Sequence, residues 1–279
     1  MGPEEKKPLL PDTLWFTAPS THVETLKFRN ESSYLQGIEG ECDHLHTAFL
    51  HRRGEGLKAP VDPAPIYEIE QTSWGIRGVT YRRDTPDTRH TQMNLWMFPF
   101  VGCIGGFGGA GQHRSFAQQQ RTIHAIYHVP ADDYNETRYE ILVDLDKPAA
   151  GEYRKRYVHE LTPDHRKVAN RANDYLIDRE LQRTTNFAGI AFGNHTQDAA
   201  MTETTLGGPI ADRTQEHLGG SDEHIVAMRQ RLLAAVKAFG QGEEPPGVAL
   251  TPEQNGFSDL YCTSGVLPAG ASWRELLKL

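Results

Sequence analysis

The hydrophobic and polar positions divide the chain into three zones. Residues 33–53, SYLQGIEGECDHLHTAFLHRR, mix small, polar and apolar side chains without alternation, and the pattern predicts helix with a break. From about 65 to 146 the period changes to two. QMNLWMFPF is followed by TIHAIYHVP, where Ile123, Ala125, Tyr127 and Val129 share one face, and then by RYEILVDL, where Tyr139, Ile141, Val143 and Leu145 do the same. This zone predicts an antiparallel sheet containing a Gly-rich turn. Beyond Pro163 the period becomes helical, most clearly over Ser221 to Gly240: Ser221 is placed to cap, Asp222 and Glu223 favour the positive end of the helix, and Gly240 stops it. Ile225, Met228, Leu232, Val236 and Phe239 then form the expected buried stripe. Helices on either side of a central run of strands predict an α+β fold.

Composition narrows the class of protein. The chain has 279 residues, with 37 acidic against 29 basic side chains and a net charge of -8, which disfavours broad adhesion to nucleic acid or an anionic membrane. No apolar run approaches the ~20 residues that span a bilayer. Three cysteines, Cys42, Cys103 and Cys262, are odd in number and scattered, so a disulfide framework is not expected and a reducing compartment is. The first residues, MGPEEKKPLLPDTLWF, lack the apolar core of a secretory signal, which places the protein in the cytoplasm. Pro3, Pro8 and Pro11 read as an extended connector, so residues 1–20 are expected to be a linker remnant and 21–279 the folded domain.

The chemistry concentrates in Asp43, His44, His46 and His51, four candidate ligands within nine residues. At about 100° per helical residue, Asp43 and His46 lie about 60° apart while His46 and His51 differ by about 140°. Those two imidazoles meet at one metal only if the helix bends or ends between them. Two His and one carboxylate leave open positions that suit non-haem Fe(II) and oxygen. On a strand, His44 and His46 would instead point the same way, as in hydrolytic zinc sites. A third reading is that these are ordinary polar or capping residues, and spacing alone leaves all three open. Asp198, in NHTQDAAMTET after the apolar FAGIAFG, is a candidate third ligand or a helix-start residue stabilised by the helix dipole. Gly106 to Gly111 matches G-x-G-x-x-G, but a strand-like run rather than a helix follows QHRSFAQQQ, so a sheet connection is the better reading. Arg52 and Arg53 fit either a substrate carboxylate or a solvated helix end. His124 and His128 share a face of a strand-like segment and either line a cavity or meet solvent.

Two stretches carry a family resemblance. EGECDHLHTAFLH resembles the D-x-x-H-x-x-x-x-H iron signature of Rieske non-haem iron aromatic-ring-hydroxylating oxygenases. The run NRANDYLIDRELQRTTNFAGIAFGNHTQDAAMTETTLGGPIADRTQEHLGGSDEHIVAMRQRLL is similar to the corresponding part of the phthalate dioxygenase-type α subunits, as is VPADDYNET to a strand end of that group. The resemblance implies a helix-grip domain of the START/Bet v1 kind, an antiparallel sheet flanked by helices. It implies one mononuclear Fe(II) held by His46, His51 and Asp198, O2 activation beside a small aromatic, carboxylated substrate, and a homotrimer. Asp43 takes the bridging role between an iron-ligand His and a cluster ligand of a neighbouring subunit, Glu39 lies near that bridge, and His44 is a non-ligand. The family's Rieske [2Fe-2S] centre needs a Cys-x-His and a Cys-x-x-His pair. Cys42-Asp43-His44 meets the first spacing by chance, and neither Cys103 nor Cys262 meets the second. The cluster is therefore expected on another domain or chain, fed by an NAD(P)H-dependent reductase. The chain resembles a catalytic half that starts at the family's linker, with Met1 as an internal methionine. The alternatives are a zinc-dependent hydrolase using His44 and His46 and a non-catalytic ligand-binding helix-grip domain.

Overall fold

A computed structural model describes residues 4–54, 65–83, 85–105, 122–257 and 260–277. The Gly106 to Gly111 motif falls outside them. After helix α1 (Leu14–Thr17) come strand β1 (Val23–Asn30) and helix α2 (Tyr34–Cys42), and then strands β2 (Ile66–Gln71), β3 (Gly75–Arg83), β4 (Thr88–Met97), β5 (Val101–Gly105), β6 (Thr122–Pro130) and β7 (Glu136–Asp144). Helices α3 (Glu152–Tyr157), α4 (Arg179–Thr184), α5 (Asn194–Thr204) and α6 (Glu223–Gly240) follow, and β8 (Ser264–Pro268) returns to the sheet. The strands form one antiparallel sheet in the order β1-β7-β6-β5-β4-β3-β2, with β8 paired to the first half of β4. The expected α+β architecture, an antiparallel sheet flanked by helices, is what the chain adopts. β1 and β8, which lie outside the period-two zone, complete the sheet at one edge and beside β4. Among the described residues no helix is long and apolar enough to cross a membrane.

The two faces of the sheet differ in chemistry, and this positions the site. On one face Ile123 and Ala125 of β6, Val143 of β7 and Met93 and Leu95 of β4 form a continuous apolar core, with Tyr127, Ile141 and Leu145 packed against it. Trp15 of α1 and Leu260, Cys262, Trp273 and Leu276 near the C-terminus cover that face. Alternation sends His124, Ile126 and His128 of β6 and Glu136, Arg138 and Glu140 of β7 to the opposite face, where the register sets His128 beside Arg138 and Ile126 beside Glu140. Helices α2 and α6 lie across this second face, packing Ile38, Cys42, Ile225 and Met228 on Ile76 and Trp96. Close approach of α2 depends on Gly37: a Cβ there would sit 2.3 Å from His128 Nδ1 and 2.7 Å from a Glu136 carboxylate oxygen.

Helix α6 starts at Glu223 rather than at Ser221. Gly220–Asp222 forms a 3-10 turn, and the Asp222 carboxylate, not the Ser221 hydroxyl, accepts from the Gly219 N–H at 2.7 Å. The stripe on α6 also ends early. Met228 is fully buried, but Val236 and Phe239 are 68% and 64% exposed. Arg231 donates to backbone carbonyls of the β2–β3 turn, and the helix continues past that turn, so its last apolar residues have no sheet beneath them. The helical zone after Pro163 is otherwise short helices and 3-10 turns joined by irregular chain. The burial difference predicts that Met228→Ala lowers the unfolding free energy by about 2–5 kcal/mol. Val236→Ser should change it by less than about 0.5 kcal/mol, both read from urea denaturation midpoints.

Candidate metal centre

The helix break expected in residues 33–53 occurs at Asp43, and the aspartate itself shapes it. Asp43 leaves the helix for extended backbone, and its Oδ1 accepts from the Leu45 N–H at 2.7 Å, turning the chain before the 3-10 turn of His46–Ala48. The Leu50 N–H then bonds the His46 carbonyl at 2.7 Å, which brings His51 round beside His46. Their rings pack edge to face with centroids 5.3 Å apart. Two imidazoles that a continuous helix would separate are thus placed side by side.

Helix α5 supplies the carboxylate. Glu160 caps its start, accepting from the Gly193 N–H at 2.7 Å and from the Thr196 hydroxyl at 3.1 Å. Gln36 ties its end to α2: its amide donates to the Thr202 carbonyl at 2.5 Å and its Oε1 accepts from the Ala211 N–H at 2.9 Å. Between these anchors Asp198 Oδ1 lies 3.0 Å from His51 Nε2 and 3.7 Å from His46 Nε2. His46, His51 and Asp198 are the group of three ligand-type side chains, among the described residues, whose atoms fall within 4.8 Å of one another.

Both rings are held from behind. The Gln197 amide donates to the Ile190 carbonyl at 3.3 Å, which turns its Oε1 to accept from His51 Nδ1 at 2.8 Å. Nε2 of His51 is then the bare nitrogen, facing Asp198. Asp43 Oδ2 lies 3.5 Å from His46 Nδ1 and orients that ring in the same sense. Burial opposes a charge on His46, but Asp43 and Asp198 outweigh it and raise the ring to about 9. Burial also opposes ionisation of Asp198, yet His51, His46 and Arg138 hold its carboxyl well below the usual carboxylate range. Asp198 Oδ1 is buried and takes no well-aligned hydrogen bond from the described residues. Two nitrogens and an ionised oxygen converging on one point, with the oxygen short of hydrogen-bond partners, fit a divalent cation.

The other sequence candidates separate. His44 is fully buried, with its ring 5.8 Å from that of His224 and 6.2 Å from that of Tyr67, and does not join His46. A strand-borne His44/His46 site is excluded, because the chain there is a helix end. Glu39 turns to α6, pairing with Arg229 at 2.7 Å and Arg213 at 2.8 Å, so it clamps α2 to its neighbour rather than lying at the Asp43 bridge. Arg53 is exposed and donates to the Phe192 carbonyl, and neither Arg52 nor Arg53 is among the described residues lining the cavity beside Asp198.

That cavity measures about 190 Å³. Leu50, Ile104, Ile126, Ala199 and Met201 supply apolar wall, and Glu41, Arg138, His124 and His195 supply polar wall. His128 is buried behind it, between Glu136 at 2.8 Å and Glu41 at 3.4 Å. Gln197, Glu41 and His195 escaped the sequence reading. Gln197 and His195 flank Asp198 on one helix, and Glu41 lies two residues before Asp43, so proximity to the candidates was the available signal.

Comparison with known proteins gives a family match over residues 1–278 to the LigXa C-terminal domain like family. The chain is 30% identical to the 3-chlorobenzoate-3,4-dioxygenase oxygenase subunit of Comamonas testosteroni over 276 residues, covering 89% of this chain and 61% of that protein. It is 26% identical to the phthalate 4,5-dioxygenase oxygenase subunit of Pseudomonas putida, covering 99% of this chain and 64% of that protein. The chain thus spans less than two thirds of the length of these relatives. Among solved structures, NdmA of Pseudomonas putida CBB5 aligns with a TM-score of 0.49 at 13% identity, covering 84% of this chain and 55% of that one. The resemblance to oxygenase subunits drawn from the sequence is borne out.

Glu39→Gln should lower stability by about 1–3 kcal/mol, the scale of a lost charged hydrogen bond, while leaving metal content unchanged. Thermal melts paired with elemental analysis of the same sample separate the two effects.

Proposed function

Because the chain belongs to the LigXa C-terminal domain like family, we propose that it is the catalytic domain of a Rieske-type aromatic-ring-hydroxylating oxygenase, with one ferrous ion held by His46 Nε2, His51 Nε2 and Asp198. The observation that carries this reading is the convergence of those three side chains within 4.8 Å, with a second residue orienting each ring. When bound by His46, His51 and Asp198, the ion would supply the O2-activating chemistry.

The chain's own residues supply geometry. Gln197 fixes the His51 tautomer, and Asp43 holds His46 while keeping 27% of its side chain exposed. A partly exposed carboxylate on the outer side of a ligand imidazole is reachable by a cluster ligand from another chain. This suits a domain whose electrons come from a [2Fe-2S] centre on another domain or chain, reduced by an NAD(P)H-dependent reductase, in an assembly whose catalytic domains form a homotrimer. The cavity, about 190 Å³, is on the scale of one that takes benzene (~150 Å³), so a single small aromatic ring is the fitting substrate. The described cysteines are buried and unpaired, as a cytoplasmic protein's would be.

Loading with ferrous iron under anaerobic conditions, followed by desalting and elemental analysis, tests the site. The wild-type chain should retain about one iron per chain. His46→Ala, His51→Ala and Asp198→Ala should each lose most of it, whereas His44→Ala should retain it. Retention by all three ligand variants would overturn the assignment. Turnover of an aromatic substrate should require an added Rieske protein as well as NADH and reductase, and oxygen uptake without it would overturn the electron-delivery part of the reading.

A further inference from the structure

Strand β1 is an edge of the sheet: β7 pairs with one side of it, and among the described residues no strand pairs with the other. Its register with β7 runs without a bulge from Val23 opposite Val143 to Asn30 opposite Glu136. The Arg29 N–H bonds the His165 carbonyl at 2.9 Å, and at the other end the Val23 N–H returns to the Ser20 carbonyl, so both residues turn their backbone groups away from β7. Outward-turned residues alternate with ladder-bonded ones in an antiparallel pair, which places Thr25 and Lys27 in the same outward set. Their N–H and C=O groups meet no partner among the described residues. Two ties therefore bracket a short open length of edge.

A groove of about 750 Å³ runs beside this open length, lined by Thr25, Leu26 and Lys27 and by none of the three iron-ligand candidates. Phe16, Tyr139 and Val158 border it and are 42%, 40% and 49% exposed, so apolar surface lies in water where the backbone also lacks partners. Lys27 and Arg154 are its lysine and arginine lining. The Lys27 ammonium lies 5.5 Å over the Tyr139 ring, and neither side chain has an acidic partner among the described residues. Glu140 is the one carboxylate in that lining, and it is spent on Arg138 and Tyr153. On a chain of net charge -8 the groove is thus locally positive. A small apolar ligand would leave the backbone groups of Thr25 and Lys27 unmet, and a second copy would bring its own Lys27 and Arg154 against these. An extended segment bearing carboxylates answers the open edge, the apolar wall and the two cations together.

We propose that the outer edge of β1 docks an extended acidic segment of another protein, which adds as a further strand beside Thr25 and Lys27, lays apolar side chains in the groove and sets carboxylates against Lys27 and Arg154. The proposal does not rest on the oxygenase reading.

Fluorescence anisotropy with a dye-labelled, amidated Val-Glu-Val-Glu-Val-Glu peptide tests it on the full chain. The wild type should bind this peptide saturably, and more weakly as salt is added. A Val-Lys-Val-Lys-Val-Lys peptide, and the acidic peptide N-methylated at every residue, should fail to bind. Thr25→Pro removes one outward N–H and no bond to β7, and should weaken binding by up to about tenfold, the scale of one net hydrogen bond. The double variant Lys27→Glu, Arg154→Glu should weaken it further. Thermal melts check that each variant folds; should Thr25→Pro fail to fold, the methylated peptide and the charge variant decide. Absence of saturable binding, equal binding of the lysine or the methylated peptide, or binding unchanged in the double variant would each overturn the proposal. Sedimentation showing self-association of the wild type that Thr25→Pro abolishes would overturn it in favour of a second copy as the occupant.

Discussion

The structure depends on the burial of charge on one face of a sheet. Strand β7 places Glu136, Arg138 and Glu140 on the same side, all nearly inaccessible to solvent. Removing such groups from water costs several kcal/mol per ion unless each finds partners of good geometry. Their partners are the neighbouring strands and the helices above: His128 for Glu136, Glu41 of α2 for Arg138, and His124, His195 and Tyr153 for Glu140. Helix α2, which ends just before Asp43 and His46, and helix α5, which carries Asp198, are therefore located by the sheet's electrostatics as well as by packing. Helix α2 brings Glu41 to Arg138, and the same seating delivers Asp43 and His46 to the mouth of the cavity.

Division of labour between the faces follows from alternation. The apolar side of β4 to β7 closes on Trp15 and the C-terminal segment and provides cohesion. The polar side gives up part of that cohesion to build a chamber in which His46, His51, His128 and His195 each face a polar partner. Small residues make the arrangement compact: Gly37 admits His128 and Glu136 beneath α2, and a Cβ at Gly102 would sit 2.8 Å from the Glu41 Cβ. Without those two close approaches α2 could not lie near enough for Glu41 to reach both Arg138 and His128.

Much of this was legible from the residues. The period-two segments TIHAIYHVP and RYEILVDL gave strands with the correct inward faces, because each pairs an apolar row with a second row that is also buried. The helix break followed from the angular separation of His46 and His51, and Asp198 followed from the resemblance. Less visible were the features set by distant neighbours. Glu39 and Glu41 differ by two positions on α2, so they point to opposite sides, and only the placement of Arg229 and Arg138 shows which one enters the cavity. Val236 and Phe239 continue the periodic pattern of α6 but project beyond the β2–β3 turn, a limit set by strand length that no helical pattern records.

The fates of His44 and His46 show how little the residue type decides. Both follow Asp43 closely, and both are imidazoles on the same short turn. Asp43 ends the helix by accepting from the Leu45 N–H, and that turn sends the ring of His44 inward against His224 and Tyr67 while leaving His46 against the carboxylates of Asp43 and Asp198. Burial, with His224 and Arg82 close by, keeps His44 well below the usual imidazole range, whereas His46 is raised. The difference between an inert core residue and a metal-ligand candidate is thus produced by one aspartate that serves at once as helix stop, turn acceptor and ring partner. Moving Asp43 by a single position would separate those tasks.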